Sequence, residues 1–435
     1  MDLGLIAAVV FSSMLVLLVI GVPIAFAMLA SACLGYLLLG RPELASQQLI
    51  LTLDDQGTNF AFIAVPLYFM MGELVYRTKL ADDLFECVHR WVGRLPGGLA
   101  ISSVVSCAGF GSVSGGSISA IATIAPMSIP AMRRYKYDDA LATGSIAAAG
   151  SLGILIPPSI VMVGYGLLTE TSIGALFIAG IIPGIILTIM YAATVTVRCM
   201  IRPELGPIGE RYTIQEKIES LGKVLPILLT FLVVVGGIYF GVFTPTEAAG
   251  FGVAVLLIIA FVMRRLSLQI VRVSLLRSMH ISAMIFVIII GGHMMGKIVT
   301  LTGVSQNLVA LINGADLHPA LVMLLITALY IVLGMVLDVW GMLILTVPFV
   351  LPVMIGLGYG PIWYGVYAVI MSELALITPP VGINVYVMAK MVPDVPLRTI
   401  FRGVTPFFVA TLLLVALICA FPQIVMFLPT LGGMR

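Results

Sequence analysis

Two stretches decide the reading: Gly150-Ser151-Leu152-Gly153-Ile154-Leu155-Ile156-Pro157-Pro158-Ser159 and Ser372-Glu373-Leu374-Ala375-Leu376-Ile377-Thr378-Pro379-Pro380-Val381-Gly382. Each places a proline pair in the middle of a long apolar run. Proline removes a helical N–H donor and clashes with the carbonyl one turn back, so both runs are expected to be helices broken at mid-length with freed carbonyls. The two pairs lie 222 residues apart. Three more prolines recur at that offset: Pro23 with Pro245, Pro126 with Pro348 and Pro130 with Pro352. A recurrence of this kind marks an internal repeat.

The surrounding composition says what such helices cross. Of 435 residues, 61% are apolar and 10% are charged, against roughly 25% charged in soluble domains. A water-soluble enzyme is excluded. Apolar runs at spanning length occupy 3–20, 24–39, 59–75, 140–166, 173–197, 224–243, 245–263, 279–297, 362–389 and 400–422. Two further runs, 97–132 and 319–354, are too long for one crossing. They are interrupted by Gly111-Ser112-Val113-Ser114-Gly115-Gly116-Ser117 and by Gly334 through Gly341. Both read as re-entrant hairpins, since irregular backbone at membrane depth must face protein or a water-filled cavity.

The expected fold is an all-α polytopic membrane protein built from two repeats, 1–197 and 224–435, joined by a linker at 198–223. Each repeat has five spanning helices plus one re-entrant hairpin. Five crossings per half invert the second copy, and the charges agree. The basic segment Tyr76–Leu95 pairs with the nearly uncharged Ile298–Leu317, whereas Arg41–Asp55 pairs with the basic Met263–Arg277. With both termini periplasmic, 19 of the 22 basic residues become cytoplasmic, as the positive-inside rule requires. Only Arg41, Lys297 and Arg435 do not. Inverted repeats of this plan belong to secondary transporters, which bind cargo at the midplane where the repeats meet. A net charge of +2 gives no reason for a nucleic-acid partner. The five cysteines include no C-x-x-C, and the four histidines stand singly.

The chemistry is expected at the interruptions. The first tip, with Ser112, Ser114, Gly115 and Ser117, offers hydroxyl and carbonyl oxygens of the kind a hard cation such as Na⁺ takes. Close helix packing through small residues is the competing reading. In the second hairpin Gly334 precedes Asp338, the only charged residue between Asp316 and Glu373. An aspartate at mid-membrane costs about 2.5–3.5 kcal/mol, which a bound cation or a proton would offset. Gly150, Ser151, Thr378 and Gly382, with the carbonyls freed by the prolines, complete the candidate cation ligands. The half-helices that restart after Pro157, Pro158, Pro379 and Pro380 present N–H groups and a positive dipole end to an anion. Ser117 and Lys297 join these prolines as candidate substrate contacts, with snorkelling as the other reading of Lys297. Glu247 reads as part of a capping box with Thr244, and Tyr76–Leu95 as an interfacial amphipathic helix.

At these residues the chain resembles the large membrane subunit of a tripartite ATP-independent periplasmic (TRAP) transporter. The matching motifs are Gly111–Gly115, Ala147–Ser159, Thr244–Ala249 and Ile377–Gly382. The resemblance implies an elevator-type, Na⁺-driven importer of small organic acids, such as C4-dicarboxylates or sialic acid, in the bacterial inner membrane. It also implies two partners, a small four-helix membrane subunit on a separate chain and a periplasmic substrate-binding protein. The alternative is a divalent-anion/Na⁺ symporter that works without a binding protein. Intramembrane proteolysis lacks its groups: Asp338 has no partner aspartate within its half, and no His or Lys lies in the first hairpin.

Overall fold

The computed structural model describes residues 2–314 and 317–434, and every regular element among them is helical. Helices α1 (Leu3–Val19) and α2 (Ile24–Leu38) flank Pro23, and Pro42 opens the polar arm α3 (Pro42–Thr58). Asn59 then stops the arm. Its side chain accepts from Ala61 N at 3.0 Å and starts a short 3₁₀ turn leading into α4 (Ala64–Arg77). Lys79, at φ 57°, turns the chain into α5 (Leu80–Val92). This is the expected amphipathic helix: Leu80, Leu84, Phe85 and Cys87 are buried while Trp91 is exposed. It packs on α6 (Gly98–Ser114) and on α12 (Ile214–Phe231).

Helix α6 returns along α7 (Ser117–Arg134) through only two linking residues, Gly115 and Gly116. Next come α8 (Asp139–Ala149), the single turn α9 (Leu152–Leu155) and α10 (Ile160–Thr169), bent by 43° at the break before α10. Helix α11 (Ile173–Ile201) closes the first half. Helix α12 passes through a π-helical turn, Leu232–Gly236, into α13 (Gly237–Tyr239). The second half continues with α14 (Pro245–Val262), α15 (Leu268–Thr302), α16 (Val304–Gly314), α17 (Pro319–Gly334) and α18 (Val339–Gly356). It ends with α19 (Pro361–Ala375), α20 (Ile383–Met391), α21 (Leu397–Ala420) and α22 (Gln423–Leu431). Helix α7 and helix α18 recur with both ends 222 residues apart.

The helix bounds refine the sequence reading in three places. Among the described residues seven helices are long and apolar enough to cross a membrane, eight with the bent pair; one of these is α18, an arm of the second hairpin, so the expected spans 3–20, 24–39 and 362–389 are those that fall short. Helices α1 and α2, at 17 and 15 residues, reach only about 23–26 Å of a ~30 Å hydrocarbon core. Helical structure also extends into both ends of the expected linker 198–223. Helix α11 runs on to Ile201, and α12 starts at Ile214 behind a Thr213–Glu216 capping box. Finally, most of the basic stretch 263–277 and the whole span at 279–297 lie in one 35-residue helix, α15, which starts at Leu268. No glycine or proline stands between Ser267 and Gly291 to part them, whereas Asn59 parts α3 from α4.

Two apolar cores result. A smaller one joins α1, α2 and α15 around Val10, Met28, Tyr36 and Met294. The larger one contains both hairpins and both broken helices. All residues from Ala140 to Ala149, and from Ile362 to Ala375, are buried. A helix apolar on every face belongs inside a protein or a membrane, and these two hold the centre of the molecule. At the rim, Glu86 of α5 accepts from Lys223 of α12 at 2.8 Å and pairs with Arg90. That hydrogen bond from Lys223 holds the Glu86 carboxyl below the usual glutamate range. Arg133, at the end of α7, likewise lowers Asp394 by hydrogen bonding to it, tying the hairpin base to the start of α21.

Candidate functional site

The first tip is seated on the first break. A Cβ built on Gly115, at φ 62°, would stand 2.8 Å from the Pro158 carbonyl oxygen, and one on Gly111 only 2.2 Å from the Gly153 Cα. The space beside Gly150 is filled by Ile121 and the Ser117 carbonyl. Only glycine permits these approaches, and at Gly115 also the backbone angle. Ser112, Ser114, Gly115, Gly150, Ser151, Pro157 and Pro158 are all buried together, with Ser117 as the first residue of α7. The Ser112 hydroxyl donates to Gly109 O at 2.7 Å, and that of Ser151 to Ala148 O. Each proton points back into its helix. What a hydroxyl then offers outward is lone pairs, the form a monovalent cation takes.

The second site is built differently. Gly334 packs directly on α19, a Cβ there meeting that of Ala375 at 2.4 Å. Thr378 is buried and donates to Leu374 O at 2.6 Å, leaving lone pairs as Ser151 does. Gly382 takes φ 52° as the residue that restarts α20. Asp338, however, is the N-cap of α18: its Oδ1 accepts from Gly341 N at 2.9 Å. The helix N-terminus therefore offsets part of the cost of its charge, and a cation is not its only compensation. Freed carbonyls are also fewer than expected here. Ala375 O accepts from Thr378 N at 3.1 Å and Leu376 O from Asn384 N at 3.0 Å.

The breaks differ in cover as well. Pro157 and Pro158 are buried under the first tip, whereas Pro379, Pro380 and Val381 are exposed, as is Val336 at the second tip. The two halves are stitched together across this region. Asn384 Nδ2 donates to Ala147 O at 3.3 Å, and Tyr191 on α11 shares a 2.7 Å hydrogen bond with Thr411 on α21. Buried hydroxyls also bind the second hairpin to α19. Tyr330 meets Thr346 at 2.6 Å and Tyr364 at 2.7 Å.

Lys297 is exposed and donates to Gln48 on the arm α3. Glu247 caps α14 with Thr244, as its motif predicts. The sequence reading passed over Glu373, which is 1% exposed with neither carboxyl oxygen hydrogen-bonded, and Asn384, which is fully buried with Oδ1 unpaired. The signal for Glu373 was present: it is the only charged residue between Asp338 and Lys390, the same isolation that singled out Asp338. A cavity of about 390 Å³ lies elsewhere, at the α4–α5 joint, where Arg265 pairs with Asp83 at 2.6 Å. Its ion-paired lining separates it from the hairpin site.

Membrane-length apolar helices, two interrupted hairpins and two proline-broken helices at the centre define a multi-pass membrane transport protein, not an enzyme. The chain belongs to the family described as tripartite ATP-independent periplasmic transporter, DctM component, whose profile matches residues 11–424. It is similar to the C4-dicarboxylate TRAP transporter large permease protein of Pseudomonas aeruginosa, at 32% identity over 389 residues, 89% of this chain and 90% of that protein. The sialic acid TRAP transporter large permease protein of Vibrio cholerae is 32% identical over 420 residues, 95% and 96% of the two chains. In fold it resembles the Alcanivorax borkumensis YdaH transporter, with a TM-score of 0.61 over 88% of this chain and 90% of that one at 17% identity.

Proposed function

We propose that this permease imports a small organic acid across the bacterial inner membrane, coupled to Na⁺, by an elevator movement of the hairpins and broken helices. The observation that carries this reading is the seating of the Gly115 tip on the Pro158 carbonyl, with Ser112 and Ser151 turning lone pairs outward. A Na⁺ ion at the first site would be held by Ser112, Ser114, Ser151 and the carbonyls around Gly115 and Gly150. At the second, Asp338, Thr378 and the backbone of Gly334 and Gly382 would hold another. The substrate carboxylate would meet Ser117 and the half-helix starts after Pro157–Pro158 and Pro379–Pro380, entering at the exposed second pair.

In this reading 1–197 and 224–435 are inverted repeats, and both termini are periplasmic. The spans 214–239 and 245–262, with α15 and the arms, form the static scaffold. The remaining parts of the tripartite system are a small membrane subunit and a periplasmic binding protein. The test is reconstitution of the complete complex in liposomes with a panel of C4-dicarboxylates and sugar acids. Accumulation of one of them requires both inward Na⁺ and the binding protein. Uptake indifferent to Na⁺ would refute the coupling, and uptake without the binding protein would refute the tripartite arrangement.

A further inference from the structure

Glu373 sits in the last turn of α19 and is 1% exposed, and neither of its carboxyl oxygens has a hydrogen-bond partner. Its neighbours three and four residues away along the chain, Val369 and Ile370 in the helix and Leu376 and Ile377 just past its end, are all apolar and all buried. The titratable or charged groups on the elements packed against α19 are Tyr165, Tyr191, Arg198, Cys199, Tyr330, Asp338, Arg398, Arg402 and Cys419. None of them hydrogen-bonds to Glu373.

An ionised carboxylate here would have no hydrogen-bond donor among the described residues, and buried charge in that situation neutralises. A sodium ion needs several oxygens around it, and this face of α19 supplies only apolar side chains. A proton needs none.

We infer that Glu373 is a proton-carrying site of the transporter, protonated in the conformation described here and exchanging its proton with water only when the surrounding helices part. One O–H bond forms or breaks, and the proton comes from or returns to the aqueous phase. The protonation itself stands on burial and geometry, while its effect on uptake rests on the transport reading above.

The test is infrared difference spectroscopy of the full chain in lipid nanodiscs at neutral pH, compared between variants. The parent protein shows the carbonyl band of a protonated carboxylic acid. Glu373→Gln loses one carboxyl's amplitude, Glu373→Asp displaces that band, and Asp338→Asn leaves it in place. In liposomes Glu373→Gln abolishes the pH dependence of uptake and retains its Na⁺ dependence. A parent spectrum without the band, or a band that survives in Glu373→Gln, overturns the inference. Absence of uptake from every protein, with the infrared result intact, would instead count against the transport reading.

Discussion

Gly111 and Gly153 touch through their Cα atoms, and this contact seats the first hairpin on the first broken helix. A Cβ added at Gly111 would lie 2.2 Å from the Gly153 Cα, and the opposing atom is backbone that cannot swing aside. Gly111→Ala is therefore expected to push the tip off Pro158, at an overpacking cost of about 1–3 kcal/mol. Uptake should fall while membrane insertion is kept, as judged by expression and monodispersity. Uptake equal to the parent's would mean that the seating of the tip is irrelevant to transport.

Asp338 offers a separation of two roles. Asparagine caps a helix about as well as aspartate, so Asp338→Asn keeps the bond to Gly341 N and removes the charge. If the carboxylate holds a buried cation, its removal costs about 3 kcal/mol by analogy with a broken buried pair. The half-saturating Na⁺ concentration should then rise by roughly 100-fold. Asp338→Ala loses the cap as well, at ~1 kcal/mol, and should also lower thermal stability. An unchanged Na⁺ dependence in Asp338→Asn would leave Asp338 a cap and nothing more.

The elevator reading requires that α10 slide past α15. Leu168 and Gly292 face each other across that boundary, a Cβ on Gly292 standing 3.1 Å from Leu168 Cδ1. Cysteines at these two positions, in a protein whose five native cysteines have been replaced, should cross-link. Uptake should stop on cross-linking and return on reduction. Full transport by a demonstrably cross-linked protein would exclude movement at this boundary.

Acid should loosen α5 from α12. Glu86 has a lowered carboxyl pKa because Lys223 hydrogen-bonds to it. A lowered folded value means that the contact contributes stability above the ordinary glutamate range and loses it as pH falls through the folded value. The protection factors of the α5 amides, taken relative to the intrinsic exchange rate at each pH, should therefore fall as the pH drops below the ordinary glutamate range, and Glu86→Gln should show the reduced protection already at neutral pH. The effect is modest because the pair is partly exposed. Acid-insensitive protection in the parent protein would assign the α5–α12 contact to its apolar face alone.

Most helices were legible because their signals are local. Pro42, the Thr213–Glu216 and Thr244–Glu247 boxes and the lone Asn59 mark starts and stops by their own hydrogen bonds. The amphipathic face of α5 follows from the spacing of Leu80, Leu84 and Cys87. The partner of Lys297 was not legible, because a lone lysine near an apolar span looks the same in sequence whether it meets a substrate or Gln48. Gln48 comes from another helix, 249 residues away.

The sequence by itself determined the membrane setting, the two hairpins, the two proline breaks and their 222-residue recurrence, all consequences of composition and backbone chemistry. Only the tertiary structure decided which oxygens remain available. Beside the local bonds of Asp338, Ser151 and Thr378 to their own helices, it spends the Leu376 carbonyl on Asn384 N across the second break. It also buries Pro157–Pro158 while leaving Pro379–Pro380 exposed, and it encloses Glu373 without a partner. The cover over each break and the enclosure of Glu373 depend on which helices meet, and two proline pairs with matching chemistry carry no record of what packs over them.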